Sequence, residues 1–145
     1  MQLSTKARYA ARAMMELAIC YGQGPTLLKN IAQKQNISEK YLEQLMAPLR
    51  ASGLIYTMRG NKGGYLLGRD PKHITLYEVI NIVEGSLAPV ACVDKVEMCR
   101  RWERCATRQV WVRLKERLVT ELQSVSLADL AESQENIYKE LGLQL

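Results

Sequence analysis

The chain has 145 residues, 48% of them apolar and 24% charged, with one histidine, His73, and no phenylalanine. This is about one domain of ordinary globular composition: too apolar for a disordered chain, without a run near the roughly 18 apolar residues of a membrane span, and too poor in histidine for a His-based triad. The net charge of +5 is uneven, since residues 1–72 carry eleven Lys/Arg against four Asp/Glu and residues 73–145 carry nine against eleven. A basic half joined to a near-neutral half suggests a polyanion-binding module attached to a second unit.

The first residues scatter basic side chains and lack a small-residue cleavage pattern, so no secretory signal is expected and the chain reads as cytoplasmic. Ser4 or Thr5 can cap a helix over 4–21, where Tyr9, Ala13, Leu17 and Cys20 recur at spacings of three and four. Gly22 to Pro25 stops it. Thr26 is expected to cap a short helix over 27–34, with Leu28, Ile31 and Ala32 inward. After a tight turn at 35–37, Ser38 caps a helix running to Ala51, whose apolar stripe is Tyr41, Leu42, Leu45, Met46 and Leu49. Pro48 sits awkwardly inside it, and Gly53 closes it.

A hairpin follows, with strands at 54–58 and 65–67 around the turn Gly60–Gly64. Helix, turn, helix and hairpin in that order predict a winged helix-turn-helix. Thr75 caps a helix over 76–84. Residues 85–105 have no clear period, and an unpatterned stretch of that length is usually functional or held by something else. From 106 to 124 a long helix places Val110, Leu114, Leu118 and Leu122 on one seam. It spans roughly 28 Å at 1.5 Å per residue, too long for so small a domain to cover. Its simplest partner is its own copy in a homodimer; the alternative is cover by the last helix, 127–140, which Ser126 caps. The expected class is therefore mainly α with a small β-hairpin. Its parts are a DNA-binding domain at 1–84, a cysteine loop at 85–105, and a dimerisation helix with a C-terminal helix at 106–145.

On the second helix of the motif, Ser38, Lys40, Glu43 and Gln44 lie opposite the apolar stripe. Gln pairs with adenine edges, Glu accepts from the cytosine amino group, and Lys reaches guanine or phosphate. Any surface helix has a polar face; the winged motif and the basic half are what favour double-stranded DNA as the partner. Glu43 would repel phosphate, so its expected role is discrimination rather than tightness. Arg59 and Lys62 stand on the glycine-rich hairpin tip, suited to a narrow minor groove. A phosphate loop is excluded there, because Lys62 is followed by glycine and the required spacing is absent.

Cys92, Cys99 and Cys105 are spaced C-x6-C-x5-C, with Lys95, Arg100, Arg101, Arg104 and Arg108 around them. Cations favour the thiolate, and three thiolates in one loop can hold an iron–sulfur cluster or zinc. Zinc usually prefers closer cysteine pairs, a disulfide framework does not suit a reducing compartment, and three inert thiols remain the plain alternative. Cys20 reads as a buried apolar residue. Neither a nucleophile–base pair nor a cofactor fingerprint is present, so no enzyme is expected.

With LSTKARYA at 3–10, ISEKYLEQLMAPLR at 37–50, RGNKGGYLL at 59–67, ITLYEVI at 74–80, Ala91-Cys92, CATRQVW at 105–111 and SLADL at 126–130, the chain resembles the IscR/NsrR/RirA group of iron–sulfur regulators in the Rrf-two superfamily. The resemblance implies a homodimeric transcription repressor whose cysteine loop lies near the partner's winged domain. It implies base reading by Lys40, Glu43 and Gln44, and a minor-groove role for Arg59. It also implies a cluster on Cys92, Cys99 and Cys105, 2Fe–2S ahead of 4Fe–4S, and control of iron–sulfur assembly genes. The first cysteine gap is one residue longer than the group's. The group's fourth ligands fall on Arg108 and Arg8, neither of which can ligate. Asp94, Glu97 or Glu103 nearby, Glu43, His73 or another donor from elsewhere in the chain, or an external thiol are the remaining candidates. A regulator of the same fold without a cluster, using its thiols or a protein partner as signal, is the alternative.

Overall fold

A computed structural model describes residues 2–145. Ser4 starts the first helix, α1 (Thr5–Ile19), by accepting a hydrogen bond from the Ala7 amide at 3.2 Å. The helix is buried along Ala7, Ala10, Ala13, Met14, Leu17 and Ala18, and its small alanines let α4 (Leu76–Glu84) and α6 (Leu127–Glu140) approach closely. Cys20 is half-buried at the C-terminal cap of α1, more open than the sequence suggested.

The helix-turn-helix consists of α2 (Leu28–Gln35) and α3 (Glu39–Ala51). Asn36 takes a left-handed turn between them, Ile37 is buried beneath it, and the Ser38 hydroxyl accepts from the Tyr41 amide. Pro48 remains inside α3. Gly53, at φ +81°, ends the helix where a side chain would be strained. The wing is β1 (Ile55–Met58) paired antiparallel with β2 (Gly64–Leu67), Ile55 facing Leu67 and Met58 facing Gly64.

Thr26 does not cap α2: the cap position is Leu27, and no side chain serves it. Thr26 instead pairs with Tyr65 through two backbone hydrogen bonds of 2.9 and 2.8 Å, extending the wing by one bridge. That pairing accounts for Gly64, where a Cβ would lie 2.5 Å from the Thr26 carbonyl oxygen. Residues 85–105 carry three short 3-10 turns, at Ala91–Val93, Val96–Met98 and Trp102–Arg104. They lead into α5 (Ala106–Ser124).

The starts of α4 and α6 meet. Each has a capping box, Thr75 with Glu78 and Ser126 with Asp129. Backbone bonds from Leu127 to the Ile74 carbonyl (2.9 Å) and from Leu76 to the Val125 carbonyl (2.8 Å) join them. Leu127 is 0% exposed at this junction, beside Ile74 and α1 in the main core. Leu127→Ala should cost about 2–5 kcal/mol, read as a lower urea midpoint.

The cap carboxylates both titrate low. The Ser126 hydroxyl and then its amide hold Asp129 below the ordinary range. For Glu78, partial burial opposes ionisation, but the Thr75 amide and the Arg69 guanidinium outweigh it. A depressed native pKa gives stability that is present above the unfolded value and lost as pH falls through the native one. Urea midpoints should therefore decline below about pH 4, and Glu78→Gln/Asp129→Asn should lower the neutral midpoint while flattening that decline.

Candidate nucleic-acid interface and cysteine loop

Because α3 buries Leu42, Leu45, Met46 and Leu49, its other face is forced outward. Lys40, Glu43 and Gln44 are exposed there and share one groove with Ala47, Arg50 and Tyr65, between α3 and the wing strand β2. Ser38 is exposed at the head of this face, and its oxygen serves as the helix cap. Arg59 and Lys62 are exposed on the hairpin tip, which a Gly63 amide bond to the Gly60 carbonyl (2.9 Å) closes. Sequence reasoning did not single out Arg50 or Tyr65. The spacing 43, 47, 50 was the signal for Arg50, while Tyr65 joins the groove through the tertiary fold.

The groove offers amide, carboxylate and ammonium groups in one concave line, with two further cations on the wing. Such a surface is chemically suited to base edges and flanking phosphates.

The cysteines lie on the opposite side of α4 in the chain order, in the loop leading to α5. Cys92 lies within the first 3-10 turn, Cys99 ends the second, and Cys105 ends the third and stands at the N-terminal cap position of α5, where its side chain makes no capping bond. All three are free and half-buried. Among the described residues, no three His, Cys, Asp or Glu side chains converge into a group that could hold a metal ion. The thiols are therefore near in sequence but not gathered by this fold.

Side chains of α5 hold the loop. Arg108 Nε donates to the Cys92 carbonyl at 2.9 Å, and its guanidinium lies 5.7 Å from the Trp102 ring centroid. Lys115 Nζ meets Asp94 Oδ1 at 2.5 Å, and the Ser86 hydroxyl also donates to Asp94. The Lys115 and Ser86 bonds hold Asp94 below the usual carboxylate range. Arg108, which stands at a fourth-ligand position of the group but cannot ligate, is thus engaged with a carbonyl, and the candidate Asp94 with a lysine. Glu97, Glu103 and His73 are exposed, and Arg8 donates to Thr5 Oγ1 at 3.2 Å. Cys105 Sγ lies 3.2 Å from Thr107 Oγ1. That hydroxyl, then the Arg108 amide, favours the Cys105 thiolate and draws its pKa below the ordinary value.

α5 is not covered by α6, which packs on α1 instead. Val110, Trp111 and Leu114 are exposed on its first half, whereas Leu122 is buried against Ala7 and Ile80. Among the described residues, no helix is long and apolar enough to cross a membrane.

Comparison with known proteins gives a consistent picture. The profile of the Rrf2 family, described as an iron-dependent transcriptional regulator, matches residues 3–133. The HTH-type transcriptional regulator CymR of Bacillus subtilis (strain 168) is 44% identical over 131 residues, covering 90% of each chain. The HTH-type transcriptional regulator IscR of Xenorhabdus nematophila is 44% identical over 135 residues, covering 93% of this chain and 82% of that one. Among solved structures, CymR, the global cysteine regulator of B. subtilis, aligns with a TM-score of 0.79 at 42% identity, over 92% of this chain and 98% of that one. IscR of T. potens aligns with a TM-score of 0.78 at 38% identity, over 94% and 90%. With its winged helix-turn-helix and a profile match across nearly its whole length, the chain belongs to the Rrf2 family of transcription regulators.

Proposed function

We propose that this regulator acts in the cytoplasm as a homodimeric, DNA-binding repressor, and that its operator affinity follows the state of Cys92, Cys99 and Cys105. In this reading residues 1–84 bind the operator, 85–105 sense, and 106–145 carry the dimer helix and the returning α6. The observation that carries it is the attachment of the thiol loop to α5: Cys105 stands at the N-terminal cap position of that helix, and Cys92 is bonded to Arg108 in its first turn.

The donor set fits an iron–sulfur group in kind. The three thiols are soft donors free of disulfides, and Cys105 leans toward thiolate. Cys92, Cys99 and Cys105 would hold the group, 2Fe–2S by the likeness to IscR, with the fourth position left to a donor other than Arg108. When bound, it supplies a redox-active, oxygen-labile centre. The chain's own contribution is mechanical. Arg108 and Lys115 fix where the loop meets α5, and α5 fixes how two winged units are spaced. The exposed Val110, Trp111 and Leu114 give a second copy an apolar surface to cover. Lys40, Glu43 and Gln44 then read bases, Ser38 and Lys62 meet the backbone, and Arg59 enters the minor groove. The regulated genes would be those of iron–sulfur assembly.

A second reading has its own support: a cluster-free regulator that uses its thiols or a protein partner as signal. Arg108 ties the loop to α5 through the Cys92 carbonyl and Lys115 does so through Asp94, and the likeness to CymR, the global cysteine regulator of B. subtilis, is as strong as that to IscR.

Anaerobic purification separates the two. We expect brown protein with visible absorption, about one cluster's iron and sulfide per subunit, and operator binding that changes when the cluster is removed. Colourless, iron-free protein sinks the cluster and leaves the second reading. Cys92→Ser/Cys99→Ser/Cys105→Ser should abolish the response where a cluster or the thiols are the signal, and leave it intact where a protein partner is.

For the DNA face, Arg59→Ala should weaken binding to all duplexes and lower the salt slope by about one. Glu43→Ala should instead relax the ranking of operators, with a change worth about 1–3 kcal/mol at the read position. An unchanged ranking would remove Glu43 from base reading.

A further inference from the structure

In the sequence, Arg12, Glu16 and Gln35 look like ordinary polar positions, yet they form a relay between α1 and the end of α2 that runs from an exposed Arg12 to a buried Gln35 and Glu16. Arg12 Nε donates to Gln35 Oε1 at 2.6 Å, and Arg12 Nη2 donates to the Gln35 carbonyl at 2.8 Å. Gln35 Nε2 donates in turn to Glu16 Oε1 at 2.6 Å, and Lys34 Nζ lies 3.5 Å from Glu16 Oε2. Glu16 is only 4% exposed, so its carboxylate depends on these partners.

The position of the relay matters more than its strength. Gln35 is the last residue of α2, and its carbonyl is among those a helix end leaves unpaired. A guanidinium suits that end of the helix dipole. The next residue, Asn36, is the only non-glycine with positive φ among the described residues, and Ser38 two positions on caps α3. Arg12 also lies 5.4 Å from the Tyr9 ring centroid, and Tyr9 meets Tyr41 edge-on, with centroids 6.1 Å apart. Tyr41 belongs to the first turn of α3. One side chain therefore grips the residue before the turn and, through one ring, bears on the helix after it.

We propose that Arg12 is a positioning residue for sequence reading: it fixes the α2–α3 turn and thereby the pose of α3 against base edges. This rests on the reading of α3 as the base-reading helix. Arg12 itself touches no base in this proposal. Its loss lets α3 rock within the groove, which harms discrimination between sequences more than general affinity, because phosphate contacts tolerate displacement and paired hydrogen bonds to bases do not.

The test uses the full chain and a duplex enriched by the wild-type protein from a randomised library, compared with a scrambled duplex. Arg12→Met keeps the stem and removes every donor. We expect its preference for the selected duplex over the scrambled one to fall by about tenfold, within the range one good bidentate base contact supplies. Scrambled-duplex affinity and its salt slope should stay as in the wild type. Arg12→Lys should recover part of the preference. Tyr9→Leu, which leaves the hydrogen-bonded relay in place, should lower the preference too, and it decides the matter if Arg12→Met fails to fold by circular dichroism. An unchanged preference in both variants overturns the proposal. So does equal loss on both duplexes with a salt slope lower by about one, which would make Arg12 a phosphate contact. If the wild type enriches no duplex, the base-reading role of α3 falls first, and this assignment falls with it.

Discussion

Two backbone hydrogen bonds, Leu127 to Ile74 and Leu76 to Val125, set the relation between the winged unit and the long helix. They cross where the chain leaves the wing and where it leaves α5. Each is flanked by a capping box, so the two helix starts are satisfied locally and need no water at a buried junction. Leu127 fills the space beneath, and Leu122 in the last turn of α5 packs on Ala7 and Ile80. The C-terminal end of α5 is thereby a fixed pivot. Its other end meets the cysteine loop through Arg108 and Lys115.

The two attachments differ in kind. The pivot is buried and apolar. The loop is tied by the Lys115–Asp94 pair, by Arg108 on a carbonyl and a ring, and by Ser86 on Asp94. The ion pair is partly exposed, and pairs of that type contribute about 0–1 kcal/mol. An element held by several small terms is the low-stability end of a structure, where a modest free energy can exchange one arrangement for another. That matches the position of the cysteines: the thiols sit where α5 is cheapest to move, far along the lever from where it is clamped.

Much of this was legible locally. Ser4, Ser38, Thr75 and Ser126 were readable as caps because a side-chain oxygen beside an apolar period has one obvious use, and each cap holds. Thr26 misled for the same reason: it has the right side chain, but its backbone is claimed by Tyr65, thirty-nine positions away in the chain, a pairing no local pattern encodes. The loop 85–105 showed no period because 3-10 turns of three residues are too short to have one. At the interface, helical spacing placed Lys40, Glu43 and Gln44 on one face, while Tyr65 reached the groove only through the wing's fold. The Arg12–Gln35–Glu16 relay lay beyond sequence reading altogether, since polar residues on two helices announce no partner until the helices pack. The cysteines are the converse case: their spacing was conspicuous, yet proximity in sequence did not bring the thiols together in space.

The exposure of the α5 seam falls along its length, from 45% at Val110 through 37% at Leu114 to 8% at Leu122. A helix that was merely a surface element would show the same apolar positions buried throughout, because an amphipathic stripe forms to face a core. Here the stripe continues past the end of the core that covers it. In the proposed dimer the second copy sits on the uncovered half, which is also the half bearing Cys105 and Arg108. The thiol loop, the free end of the lever and the subunit contact then coincide within the first three turns of one helix. A change at the cysteines would be felt first between subunits and only afterwards by the recognition helices, so the spacing of the two α3 helices, rather than the fold of either one, is the quantity such a sensor would control.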